Sequence, residues 1–191
     1  MKTLNRDIEF LFQLGSLRHI ERAWRQYFGI DVANDLEHSV RVAFTALLIS
    51  RMEGKEVDEG MVFKMALVHD LAESLTGDLT PVQKRYLKVD EDRAVEDMFG
   101  DTSFADFIPL ISRYKERKCL ESQYVKDADN LDVDLEMHEL EELGHHMIEH
   151  WKPGRLKMRN EKFYTKSAGE IWDAIQGSRP STWQDTILSK A

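Results

Sequence analysis

Apolar residues at helical spacing, broken only by caps, glycines and a few prolines, limit the fold of this chain more than any other feature. Ile8, Leu11, Phe12 and Leu14 repeat at that spacing within residues 5–17. Val40, Ala43, Phe44, Leu47 and Leu48 form a second stripe, between Gly54 and an Asn34/Glu37 pair at capping-box spacing. Met61, Val62, Met65, Ala66 and Val68 form a third, behind Asp58 as N-cap. No Val/Ile/Thr run alternates between hairpin turns, and no internal repeat or low-complexity tract is present. The pattern predicts an all-α fold.

The remaining punctuation divides the chain further. Residues 21–28 make a short irregular or helical segment closed by Gly29, and Gly77–Pro81 is a stop and a turn, with Pro81 suited to the first turn of another helix. Helices are expected over 90–99, closed by Gly100, and over 103–118, where Pro109 marks a kink or a delayed start. The longest runs from Leu120 to about Trp151 and ends at Pro153-Gly154. A basic loop over 152–162, a last helix through Ala168, Ile171, Trp172 and Ile175, and a tail from Gly177 complete the chain. The 191 residues suit one domain over 1–191, with its core at about 5–150 and a helical extension at about 151–191.

Composition narrows the partners. With 42% hydrophobic and 32% charged residues the balance is that of a globular chain. A net charge of -9 argues against nucleic acid and anionic membranes as partners, yet a few local Arg and Lys can hold a small phosphorylated substrate. No apolar run reaches the ~18 residues of a membrane span. The N-terminal residues lead into an amphipathic helix rather than a signal-peptide core. Cys119 is the only cysteine, which excludes an intrachain disulfide and favours a cytoplasmic setting. No glycine-rich phosphate loop is present.

The chemistry concentrates in Val68–Asp78. Within a helix there, Glu73 lies one turn beyond His69 and three residues beyond Asp70. Imidazole with carboxylate suits Zn, Mn, Fe or Co better than Mg alone, but two ligands do not hold such a metal. Further donors are His38, at the start of the preceding helix, and a carboxylate of the 124–132 stretch, where Asp127, Asp129 and Asp132 compete. Glu142, His146 and His150 also fall at four-residue steps. Without a His-Glu-x-x-His motif they are expected to be a polar helix end. Cys119 has no partner motif for nucleophilic catalysis.

Three pieces, Glu37-His38-Ser39, the run from His69-Asp70-Leu71-Ala72-Glu73 through Gly77-Asp78-Leu79-Thr80-Pro81, and Val125-Lys126-Asp127-Ala128-Asp129, resemble the HD-domain superfamily of metal-dependent phosphohydrolases. In order and spacing they are similar to its 5'-deoxynucleotidase-like branch. The resemblance implies a helical fold and one divalent metal ion (Mn, Co, Zn, Fe or Ni) held by His38, His69, Asp70 and Asp129. It implies that Glu73 handles the proton of an attacking water, Asp78 meets the sugar hydroxyl and Arg18 grips the phosphate. The expected reaction is hydrolysis of the 5'-phosphate of a (deoxy)nucleoside monophosphate. Two departures stand out: His19 follows Arg18 where the branch often has Trp, and the C-terminal part is less like the pattern. Alternatives are another phosphoester, such as a nucleoside triphosphate or (p)ppGpp, and a regulatory module without turnover, against which Glu73 speaks. A surplus apolar stripe would pair with a second subunit in a homodimer.

Overall fold

A computed structural model of the chain describes residues 2–190. Helix α1 (Lys2–Ser16) runs into a 3-10 turn at Leu17–His19, and a loop holding the single turn α2 (Arg25–Phe28) leads to α3 (Asp35–Glu53). Then follow α4 (Glu59–Val68), the short α5 (Glu73–Thr76), α6 (Glu91–Phe99), α7 (Phe107–Glu116), α8 (Leu120–Glu142), α9 (Ile148–Glu161), α10 (Lys166–Gln176) and α11 (Thr182–Leu188). Among the described residues there is no strand, only an isolated bridge between Glu21 and Asn34.

The capping chemistry acts as the residues dictate. Asn34 accepts from the amides of Leu36 and Glu37, and Glu37 reaches back to the Asn34 amide. Gly54 ends α3 at φ 63°, a left-handed turn that glycine adopts without a Cβ clash. Asp58 caps α4 through the Met61 amide, and Asp90 caps α6 through that of Arg93.

The main core lies where α3 packs against α4 and α8. Val42, Ala43, Ala46 and Ile49 of α3 share it with Val62, Met65 and Ala66 of α4, and with Tyr124, Val125, Ala128 and Leu131 of α8. Ala168 and Ile175 bring α10 into the same core. A second cluster, including Phe10, Leu71, Val95, Phe99 and Ile111, ties α1, α6 and α7 to the end of α4. A third, with Phe28, Met137, Leu140 and Ile148, fastens α2 to α8 and α9.

Five sequence expectations are corrected. The stripe of α3 is split: Ala43 is buried, but Val40, Phe44 and Leu48 are 52%, 64% and 49% exposed. Apolar residues occupy most of that helix's circumference, so spacing alone could not choose the buried face. The longest helix stops at Glu142, where Gly144 turns at φ 85°. The expected basic loop is helix α9, with Pro153 inside it; an internal proline withholds one backbone donor. Pro81 precedes only a 3-10 turn at Gln83–Arg85. The helix expected to carry both His69 and Glu73 is broken: α4 ends at Val68, His69 and Asp70 stand on the turn that follows, and Glu73 opens α5.

Asp127 shows how α10 is docked. Its buried carboxylate accepts from the Tyr164 and Thr165 amides, both at 2.9 Å, and from the Thr165 hydroxyl at 2.7 Å. Asp127→Ala would leave these donors without their acceptor, at a cost of about 2 kcal/mol. Urea unfolding should show that loss, and an unchanged midpoint would refute the docking role.

Candidate active site

The capping box sets the start of α3 and places His38 in its first turn, where the ring is fully buried against α4 and α8. His38 Nδ1 donates to Asp132 Oδ2 at 2.6 Å. His69, just past α4, donates from Nδ1 to the Ala66 carbonyl at 2.7 Å. A carbonyl can only accept, so Nδ1 of His69 carries a proton, and in the neutral ring the lone pair falls on Nε2. The two Nε2 atoms face one region. His38 Nε2 lies 3.5 Å from Asp70 Oδ2 and 3.4 Å from Asp129 Oδ1, and His69 Nε2 lies 3.1 Å and 3.9 Å from the same two oxygens.

These four ligand atoms all lie within 4.8 Å of one another. Both Nε2 atoms are buried without a hydrogen-bond partner. Two inward lone pairs and two carboxylate oxygens around one point are the donor set of a divalent transition metal, so the residues present fit such an ion. Burial by itself would push the imidazoles down. Asp70 and Asp129 outweigh it and raise His69 to about 9, and Asp129, Asp132 and Asp70 raise His38 well above its ordinary value. Burial pushes Asp129 up, but Lys126, His38 and His69 hold it well below the usual carboxylate range.

The three competing aspartates of α8 have separate surroundings. Asp129 directs Oδ1 at the imidazoles, and its Oδ2 takes Lys126 Nζ at 2.6 Å. Asp127 points away and docks α10. Asp132 sits behind His38 and is also bonded by Arg41.

Beside the His/Asp cluster lies a second acidic group. Oxygens of Asp35, Glu73 and Asp78 lie within 4.8 Å of one another, and the buried guanidinium of Arg22 stands among them. Arg22 is 3.2 Å from Asp78, 3.5 Å from Asp35 and 3.6 Å from Asp70. Its guanidinium also stacks over the Trp24 ring at 4.5 Å, and Trp24 donates to Glu136 at 2.9 Å. Asp78 accepts from the Ala23 amide at 2.9 Å. Glu73 leaves Oε2 buried and unpartnered. Burial, then Asp70, Asp78 and Asp35, push its carboxyl up to about 11 against the pull of Arg22.

Arg18 is not brought to this place. It is exposed on the 3-10 turn, where its Nε bonds back to the Gly15 carbonyl. Arg22 occupies the position beside the cluster that the sequence reading expected of Arg18, and an indole, Trp24, lies beside it. Both are on an irregular loop, where no periodicity relates a side chain to a distant helix, so sequence reasoning missed them. Asp35, Asp132 and Arg41 complete the surroundings. A stripe was legible for α8: Asp129, Asp132 and Glu136 follow at steps of three and four, one helix face.

His69, Asp70, Glu73, Asp78 and Asp129 open into a cleft of about 610 Å³, a volume typical of small-molecule sites. Leu79, Pro81, Leu87, Val95 and Ile111 give it apolar wall, and Lys84, Lys115, Arg117 and Lys126 give it cations. Glu142, His146 and His150 gather no metal-like group among the described residues. The helix break at Gly144 separates Glu142 from the two histidines.

A family model described as HD domain matches residues 14–172. The chain is 27% identical over 177 residues to 5'-deoxynucleotidase HDDC2 of Dictyostelium discoideum, covering 86% of this chain and 89% of that protein. It is 28% identical over 155 residues to 5'-deoxynucleotidase VP0926 of Vibrio parahaemolyticus, covering 74% and 79%. Among solved structures, a conserved hypothetical protein from Pyrococcus furiosus superposes with a TM-score of 0.76 at 27% identity, over 90% of this chain and 99% of that one.

A cation entering the cluster must displace the protons that the carboxylates hold on the imidazoles. The carboxylates raise His69 to about 9 and His38 well above its ordinary value, so affinity should tighten as pH rises toward 9. Calorimetric Co(II) titrations between about pH 6 and pH 9 test this through affinity and proton release. A pH-independent affinity would refute it.

Proposed function

This chain belongs to the HD-domain family, and from that premise we propose that it hydrolyses the 5'-phosphate of (deoxy)nucleoside monophosphates with the aid of one divalent metal ion. The observation that carries the reading is the convergence of two unpartnered imidazole nitrogens and two carboxylate oxygens at a cleft that also holds Arg22. The likeness to 5'-deoxynucleotidases points to the substrate. His38, His69, Asp70 and Asp129 would hold the ion, with Mn, Co, Zn, Fe and Ni as candidates. When bound there, a divalent ion supplies Lewis acidity, which lowers the pKa of water and offsets phosphoryl charge.

The chain's own residues do the rest. Arg22 holds the phosphate, since its planar fork suits phosphate oxygens and Trp24 supports it from one face. Glu73 accepts the proton of the attacking water. Burial first, and then Asp70, Asp78 and Asp35, hold it protonated in the metal-free protein, and the positive charge of an ion held at Asp70 would pull its pKa down. Asp78 meets the sugar hydroxyl through the oxygen that Ala23 and Arg22 leave free. The apolar wall around Leu79 and Ile111 takes the base. A nucleoside triphosphate is the second reading: Lys84 and Arg117 line the cleft without an ion-pair partner among the described residues and could take further phosphates.

We also read residues 1–191 as one domain that acts in the cytoplasm, in keeping with its lone cysteine. We place a homodimer interface on the exposed face of α3, where Val40, Phe44, Leu48 and Met52 follow at four-residue steps. Sedimentation should give twice 22.3 kDa, and Phe44→Asp should yield monomers. A monomeric native protein would refute the assignment.

Phosphate release from nucleoside mono- and triphosphates by metal-loaded protein tests the activity. Glu73→Gln should lower kcat by about 10²- to 10⁴-fold, the usual contribution of general acid–base catalysis. Arg22→Gln should raise KM, whereas the same change at Arg18 should leave it near native. Full turnover in Glu73→Gln would overturn the catalytic assignment, and preference for triphosphates would favour the second reading.

A further inference from the structure

The two imidazoles of the candidate metal site have unlike partners behind them. His69 Nδ1 donates to a neutral carbonyl, that of Ala66. His38 Nδ1 donates to a carboxylate, Asp132, at 2.6 Å, and both side chains are fully buried. The other oxygen of Asp132 takes Arg41 Nε, and Arg41 in turn donates to both oxygens of Glu139 at 2.9 Å. The chain His38–Asp132–Arg41–Glu139 therefore leads from the site to the protein surface. Asp132 does not line the substrate cleft.

We propose that Asp132, steadied by Arg41, is a positioning residue: it fixes the ring orientation and tautomer of His38, and so sets how tightly the site holds its divalent ion. This rests on the metal-site reading above. Asp129 and Asp132 are three residues apart on α8, so one helix face delivers a carboxylate to the ion and another to the back of an imidazole ligand. A carboxylate on Nδ1 keeps the proton there and makes Nε2 a stronger donor than a carbonyl would. Burying a carboxylate is costly unless it is paired, and Arg41 supplies the pairing cation. Asp132 thus acts through His38, and its loss should change binding of the ion more than turnover once the ion is bound.

Asp132→Asn tests this with nearly equal volume. One amide cannot accept from both His38 Nδ1 and Arg41 Nε with its NH2 end, so one of the two bonds is lost. Mn(II) and Co(II) affinities, measured by calorimetry on stripped protein, should weaken by about ten- to a hundredfold, the usual effect of losing such an outer partner. At saturating metal kcat should return close to native. Native protein that binds neither ion overturns the metal-site reading itself. Native binding with equal affinity in Asp132→Asn overturns this proposal alone, as does a kcat that stays low at saturation. Should the variant not fold, NMR of the native Zn(II)-loaded protein decides. A slowly exchanging His38 Nδ1 proton supports the proposal, and a metal-ligated Nδ1 overturns it.

Discussion

The packing of α3 on α8 brings buried acids against their partners, and the rest of the structure depends on that match. Asp129, Asp132 and Glu136 lie along one face of α8. They meet the two imidazoles with Lys126, then His38 with Arg41, then Trp24 with the Ala33 amide. Each ionised carboxylate taken out of water costs several kcal/mol unless it is paired. A rotation of α8 by one residue would break all three sets together. The register of this helix pair is therefore held by polar contacts as well as by the apolar core around Ala43, Ala46 and Ala128.

The same economy explains the loop between α1 and α3. It contains little regular structure, yet its backbone bridges at Glu21 and Asn34, and Glu136 binds both the Ala33 amide and Trp24. This anchoring carries Arg22 into the acidic group of Asp35, Asp70 and Asp78. The guanidinium offsets carboxylates that would otherwise repel one another, and Trp24 covers one of its faces. A chain of net charge -9 thereby gains local cations at a cleft suited to a phosphorylated small molecule.

Much of this was legible in the sequence because it is local. Caps at Asn34 and Asp58 and the turn at Gly54 follow from the chemistry of neighbouring residues. His38, His69, Asp70 and Asp129 could be named from motif order, and the structure gathers them. Other features depend on contacts between distant segments. Spacing on α3 could not tell its inner face from its outer one, because Val42 and Ile49 are as apolar as Phe44 and Leu48. Pro153-Gly154 resembled a helix end, yet α9 continues through it. Arg18 and Arg22 are four residues apart, and only the course of the loop separates an exposed side chain from a buried one.

The sequence by itself determined the helical class, the helix-starting caps and the donor types available for a metal, since each depends on residues within a few positions of one another. Tertiary structure alone decided which arginine joins the site and which aspartate of α8 stands behind an imidazole. Those choices rest on how α3, α8 and the loop before α3 are oriented in space. That orientation comes from pairing buried charge across about ninety residues of chain, between His38 and Asp132, a separation over which no local periodicity carries information.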